Sequence, residues 1–157
     1  MPDRVTTDGL AVYAAGIAAA PVGEANLDNT PFLIFTVDSL SRRMDPETFL
    51  PLFTEWEADL EQGLFLLPID ENGLVYNDVQ KPHSPYGFTD TIGKTGTLYM
   101  ESLLYWRACR MMEHMCKTYG VGNPDHFAEA AEAVERSLSL LFDPAAGAFY
   151  AATKDCH

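Results

Sequence analysis

The sequence predicts an all-α fold built from repeated helical hairpins, with short extended pieces between them. Three observations predict it. Apolar residues recur at helical spacing along five stretches of the chain. Asp45-Pro46 and Asn123-Pro124 each place a capping residue before a proline, the ordinary start of a helix. One unit also occurs twice: an Asp-bearing loop, a helix, a second helix, a turn carrying Asp and then Gly, and an extended piece with Tyr.

The first helix is expected over about 8–20, with Thr7 or Asp8 as cap. The second follows Asp28-Asn29-Thr30, has Pro31 in its first turn, and runs to about Met44. The third opens at Asp45 and runs to about Leu67, with Phe49, Leu52, Phe53, Trp56 and Leu60 on a helical period. The fourth spans about Thr95 to Tyr119 and is stopped by Gly120 and Gly122. The fifth is capped by Asn123 and runs to about Phe142, with the charged outer face of an amphipathic helix. Extended pieces are expected at Gly73 to Asn77 and Gly147 to Thr153, each after a turn with Asp and then Gly.

The repeat has a consequence. A helical hairpin cannot bury its apolar face alone, so neighbouring units must stack, as an open solenoid or a closed ring. The first copy runs from about Asp28 to Asn77 and the second from about Asp90 to Thr153, and Asp155 matches the start of a third. If every second helix lines the inside, the loops before those helices gather at one rim, and Asp28, Asp90 and Asp155 converge there. Carboxylates meeting in an aromatic-lined hollow suit glycosidic chemistry, with one as acid on the leaving oxygen and one as base or nucleophile.

Composition bounds the alternatives. In 157 residues, 47% hydrophobic and 21% charged residues describe a globular chain and exclude disorder. A net charge of -13 argues against nucleic acid or an anionic membrane as partner, since both need clustered cations. Leu10 to Ala20 has the look of a signal-peptide core, but Asp3 and Asp8 stand where a basic flank belongs. A packed Ala-rich helix is preferred, and the chain is expected to be cytoplasmic. Cys109 and Cys116 would lie two turns apart on one helix, too far for a disulfide, so buried thiols are expected. His83, His114, His126 and His157 show no ligand spacing, and neither metal nor cofactor is implied.

The candidate catalytic residues are Asp90 and Asp28. Asp28 could equally be a helix cap. Asp90 lies in a loop of about twenty residues, from Asp78 to Lys94, that holds Tyr86, Phe88 and Thr89. Aromatic faces beside hydroxyls and a carboxylate are what a sugar needs, so Tyr86, Phe88, Thr89, Asn29, Lys94 and Asp155 are the candidate substrate contacts. Lys94 could pair with Asp90, meet a substrate hydroxyl, or be a solvated charge. Gly93-Lys94-Thr95 imitates the end of a phosphate-binding loop, but Gly87 is one residue too far away and no buried strand precedes it. Glu101, one turn into the fourth helix, is a further candidate acid. Trp106 reads as packing.

The stretches NLDNTPF, PHSPYGFTDTIGKTG, YMESLLYWRA and AFYAATKDC resemble bacterial members of the six-hairpin glycosidase superfamily. Leu-Asp-Asn-Thr-Pro is similar to the Leu-Asp-Asn-Ser-Pro element of processing α-glucosidases and mannosylglycerate hydrolases. The resemblance spans nearly the whole chain. It implies a segment of an (α/α)6 toroid, hydrolase activity on a glycosidic bond and a carbohydrate substrate. Five helices are fewer than half such a ring. The chain is therefore expected to be a fragment, or to need a partner chain, with the second catalytic carboxylate supplied from elsewhere. The alternatives are a sugar isomerase or glucuronyl hydrolase on the same toroid, for which only His83 is well placed, and a non-catalytic helical-repeat scaffold whose aspartates are caps.

Overall fold

The computed structural model describes residues 26–83 and 93–154. The helix expected over about 8–20 lies outside the described residues, as do Tyr86, Phe88, Thr89, Asp90 and Asp155. The described residues form four α-helices: α1 (Asn29–Ser41), α2 (Pro46–Phe65), α3 (Tyr99–Tyr119) and α4 (Pro124–Ser137). Four short strands join them: β1 (Tyr76–Asn77), β2 (Gly96–Thr97), β3 (Phe142–Asp143) and β4 (Ala148–Phe149). The class is largely all-α, as the periodicity predicts.

Helix α3 is the centre of the packing. It lies most extensively against α4, then against α1. Its buried side is Tyr105, Ala108, Cys109, Met112, Met115 and Cys116. Small Ala108 and Ala131 sit fully buried on α3 and α4, leaving room for close approach. On the other side, Phe49 and Phe53 of α2 stack at 5.7 Å, and both meet the Tyr119 ring, at 5.0 and 6.0 Å. Phe65 stacks on Phe127 at 5.4 Å and ties the end of α2 to α4.

Two helix boundaries differ most from expectation. The helix predicted from about Thr95 begins at Tyr99, because the residues before it join a β ladder: Thr97 pairs with Tyr76 and Gly96 with Asn77. Gly96 has φ +78, a left-handed value that no helix interior adopts. The helix predicted to reach Phe142 ends at Ser137 and tightens into a 3-10 turn, Leu138–Leu141, before Phe142 enters β3. The helices expected to reach about Met44 and about Leu67 end at Ser41 and Phe65, and the capping signals hold. Gly120 ends α3 at φ 67, and the Asn123 side chain accepts from the Asp125 amide at the start of α4.

The two Asp/Gly turns are the same device. Asp70 Oδ1 accepts from the amides of Asn72 and Leu74, while Asp143 Oδ1 accepts from those of Ala145 and Ala146. Gly73 and Gly147 both take positive φ. The Tyr76 amide donates to Pro68 O at 2.9 Å, and the Tyr150 amide donates to Leu141 O at 2.8 Å. Residues 95–98 then run between the exits of both turns. On one side, the Leu98 amide donates to Val75 O. On the other, the Thr153 and Lys154 amides donate to Thr97 O and Thr95 O. Among the described residues, no helix is long and apolar enough to cross a membrane.

Candidate functional site

Asp28 precedes α1, a helix whose buried residues are Thr30, Pro31, Ile34, Val37 and Asp38. Local sequence explains the start: Pro31 is preset for the first turn, and its missing amide is not needed there. Asp28 is only 3% exposed, yet its side chain makes no capping hydrogen bond. Its carbonyl accepts from the Phe32 amide at 3.0 Å. The capping role that sequence allows it is therefore not the one it fills. Asn29, half-buried, is the first residue of the helix.

The second part of the site is the stem of the loop that carries Asp90. Asn77, fully buried, holds both ends of that stem with one side chain. Its Nδ2 donates to His83 O at 2.9 Å and to Lys94 O at 2.7 Å, and its Oδ1 accepts from the His83 amide at 2.8 Å. Lys94 is buried, and its Nζ donates to Glu101 Oε1 at 2.7 Å. Lys94 is thus an anchored stem residue and not a solvated charge. Glu101 lies in the first turn of α3, where the helix dipole favours a carboxylate. The neighbouring Ser102 Oγ accepts from the Val75 amide at 2.9 Å and donates to Leu98 O, locking α3 to the first turn's exit. Thr97 adds a bond from its hydroxyl to Asp70 Oδ2 at 2.8 Å.

Three buried polar atoms in this region have no hydrogen-bond partner among the described residues: His83 Nδ1, Thr95 Oγ1 and Glu101 Oε2. Such atoms are costly to bury, and each calls for an explanation such as an ordered water or a polar ligand. The stem thus offers a lysine–carboxylate pair, an imidazole nitrogen and a hydroxyl.

Of the residues picked from sequence, the structure describes Asp28 and Asn29 at the head of α1 and Lys94 in the stem. It joins Lys94 to Glu101, the further candidate acid. Asn77 was not visible to sequence reasoning. Its one signal is an Asn closing an apolar extended piece just before a long loop. Trp106 packs as expected and donates its indole N–H to Glu135 Oε1 at 2.7 Å. Cys109 and Cys116 are unbridged and buried, and burial pushes each thiol up to about 12, so neither is a nucleophile at neutral pH. Among the described residues, no group of three or more His, Cys, Asp or Glu is placed to hold a metal ion. Compared with protein-family models, with curated proteins and with solved structures, the chain matches none.

Proposed function

We propose that the chain is a glycoside-hydrolase-like segment of an (α/α)6 toroid, in which Asp28 and Asp90 act across a glycosidic bond. One carboxyl protonates the leaving oxygen. The other activates water from the opposite face or attacks the sugar carbon, and the distance between them sets the stereochemical outcome. Asn29, Tyr86, Phe88, Thr89 and Asp155 bind the sugar in this reading, and Lys94 acts through the loop stem that it anchors.

The observation that carries the reading is Asp28: an aspartate withdrawn from water at a helix start without capping that helix. Burying a carboxylate is costly, and buried carboxyls gather at functional sites. The Asn77 clamp supports it further, because a loop with both ends tied can present a carboxyl in a repeatable position. The test is turnover on a panel of α- and β-linked oligosaccharides, with Asp28→Asn and Asp90→Asn alongside. Loss of about 10²–10⁴-fold in either variant is expected for a general acid or base. Unchanged turnover in both removes the assignment.

A further inference from the structure

We infer that Glu101 is a sugar-binding residue: its Oε2 accepts a hydroxyl of the sugar that Asp28 addresses, while Lys94 holds its other oxygen in place. This role rests on the glycoside-hydrolase reading above and adds a contact that the two aspartates do not supply. It follows from the direction of α1 and α3, from the side of α3 that bears Glu101, and from the state of the Glu101 carboxylate.

Helices α1 and α3 run in the same direction. Tyr119, the last residue of α3, donates its hydroxyl to the carbonyl of Ser41, the last residue of α1, at 3.4 Å. The two helices also pack extensively against each other. Side-by-side helices whose C-terminal ends meet are parallel. At about 1.5 Å per residue, Asp28 stands about 20 Å back from that shared end and Glu101 about 27 Å. The step between them along the axis is about 7 Å. That is comparable with the roughly 6.5–9.5 Å over which two carboxyls address one sugar in an inverting glycosidase. Glu101 precedes Tyr119 by 18 residues, about five turns, so both side chains leave α3 on the same side. Tyr105, Ala108, Met112 and Met115 fill the buried stripe between them. At its foot the Tyr119 ring meets Phe49 and Phe53 of α2, and its hydroxyl meets α1.

Glu101 is 1% exposed, and its two oxygens differ. Oε1 accepts from Lys94 Nζ at 2.7 Å, whereas Oε2 has no hydrogen-bond partner among the described residues. A buried acceptor left in that state is costly. Nor is the pair a good source of stability, because hydrophobic residues of similar volume often serve a fold as well or better. What the arrangement does provide is an oriented acceptor beside the head of α1. Its chemistry narrows the ligand. The ammonium already balances the carboxylate, so a second cation gains little there, and the described residues hold no group of three or more His, Cys, Asp or Glu fit for a metal ion. A neutral hydrogen-bond donor suits Oε2, and a sugar hydroxyl is such a donor.

Titration calorimetry of the full chain tests this with the methyl glycosides of glucose, mannose and galactose in both anomers, then with monodeoxy forms of those that bind. In the native chain, removing one particular hydroxyl is expected to weaken binding by about 10–100-fold, the range for a hydrogen bond to a charged group. Lys94→Met/Glu101→Leu is expected to bind the parent glycoside more weakly by a similar factor, and to lose nothing further when that hydroxyl is removed. Removal of the other hydroxyls is expected to cost both chains alike, a pattern that a merely structural role for Glu101 does not produce. Circular dichroism checks folding. Glu101→Gln replaces the double variant if the latter unfolds, and is expected to lose less than the native chain does, because its acceptor is uncharged. A variant that discriminates that hydroxyl as the native chain does overturns the role of Glu101 and leaves the aspartate reading standing. So does a native chain for which no single hydroxyl stands out. A native chain that binds none of the glycosides overturns both.

Discussion

Removing one partner of the Lys94–Glu101 pair should cost far more than removing both. The Nζ–Oε1 distance is 2.7 Å and neither side chain reaches water to any extent. Lys94→Met leaves a carboxylate in the interior with one oxygen already lacking a hydrogen-bond partner among the described residues. Stranding a buried charge in this way costs about 3–5 kcal/mol, a third or more of the stability of an ordinary domain. Glu101→Leu takes the buried carboxylate from the ammonium and should also destabilise the chain. The double variant Lys94→Met/Glu101→Leu leaves neither charge of the pair in the interior and should be more stable than either single variant. Urea unfolding followed by circular dichroism reads this directly. With a slope near 2 kcal/mol per molar urea, Lys94→Met lowers the midpoint by about 2 M. Single changes costing under about 1 kcal/mol, with an additive double variant, would refute the reasoning. The ammonium would then be hydrated and available to a ligand, as the sequence alone allows.

Further outcomes follow from the same geometry. Asn77→Ala should cost about 2–3 kcal/mol and speed proteolytic cleavage within residues 84–92, since it releases both ends of the stem; an unchanged cleavage rate there counts against the clamp. Glu57, buried on α2 with Oε1 lacking a hydrogen-bond partner among the described residues, has its carboxyl pushed up by desolvation and then by the Glu61 charge. A raised folded value means that stability is fully present below the unfolded pKa and is lost as pH rises through the folded one. Glu57→Gln should therefore gain on the native chain as pH rises above the ordinary carboxylate range, read as a growing difference in Tm, and a flat difference would contradict the assignment. Gly73→Ala should cost more than Gly147→Ala. Both residues have positive φ, but a Cβ at Gly73 lands 2.7 Å from Ala133 Cβ whereas one at Gly147 meets nothing within 4 Å. The second substitution should cost about 1 kcal/mol, and equal losses in chemical denaturation would show that backbone strain alone governs both.

Much of the architecture was legible because it is local. The helix starts at Pro46 and Pro124 and the stop at Gly120 follow from capping chemistry within a few residues. The matched turns follow from an Asp that accepts backbone amides two to four positions on. Helix starts misread by a few residues have an equally physical cause. Thr95 to Leu98 carry no feature that forbids a helix except Gly96, and their β partners lie about twenty residues before and more than fifty after. Asp28 is a similar case, since its residue type makes it a good cap and its side chain makes no cap bond.

By itself the sequence determined that this chain is largely helical, about where its helices lie, and which residues build its two Asp/Gly turns, since periodicity, caps and turn residues act over a few positions. Only the tertiary structure decided which side chains meet. It tied Lys94 to Glu101, made Asn77 the clamp of a loop, buried Val75 and left Phe149 uncovered. Those outcomes depend on groups far apart in the chain competing for the same partners and the same shelter from water, and neither a residue type nor its spacing settles that competition.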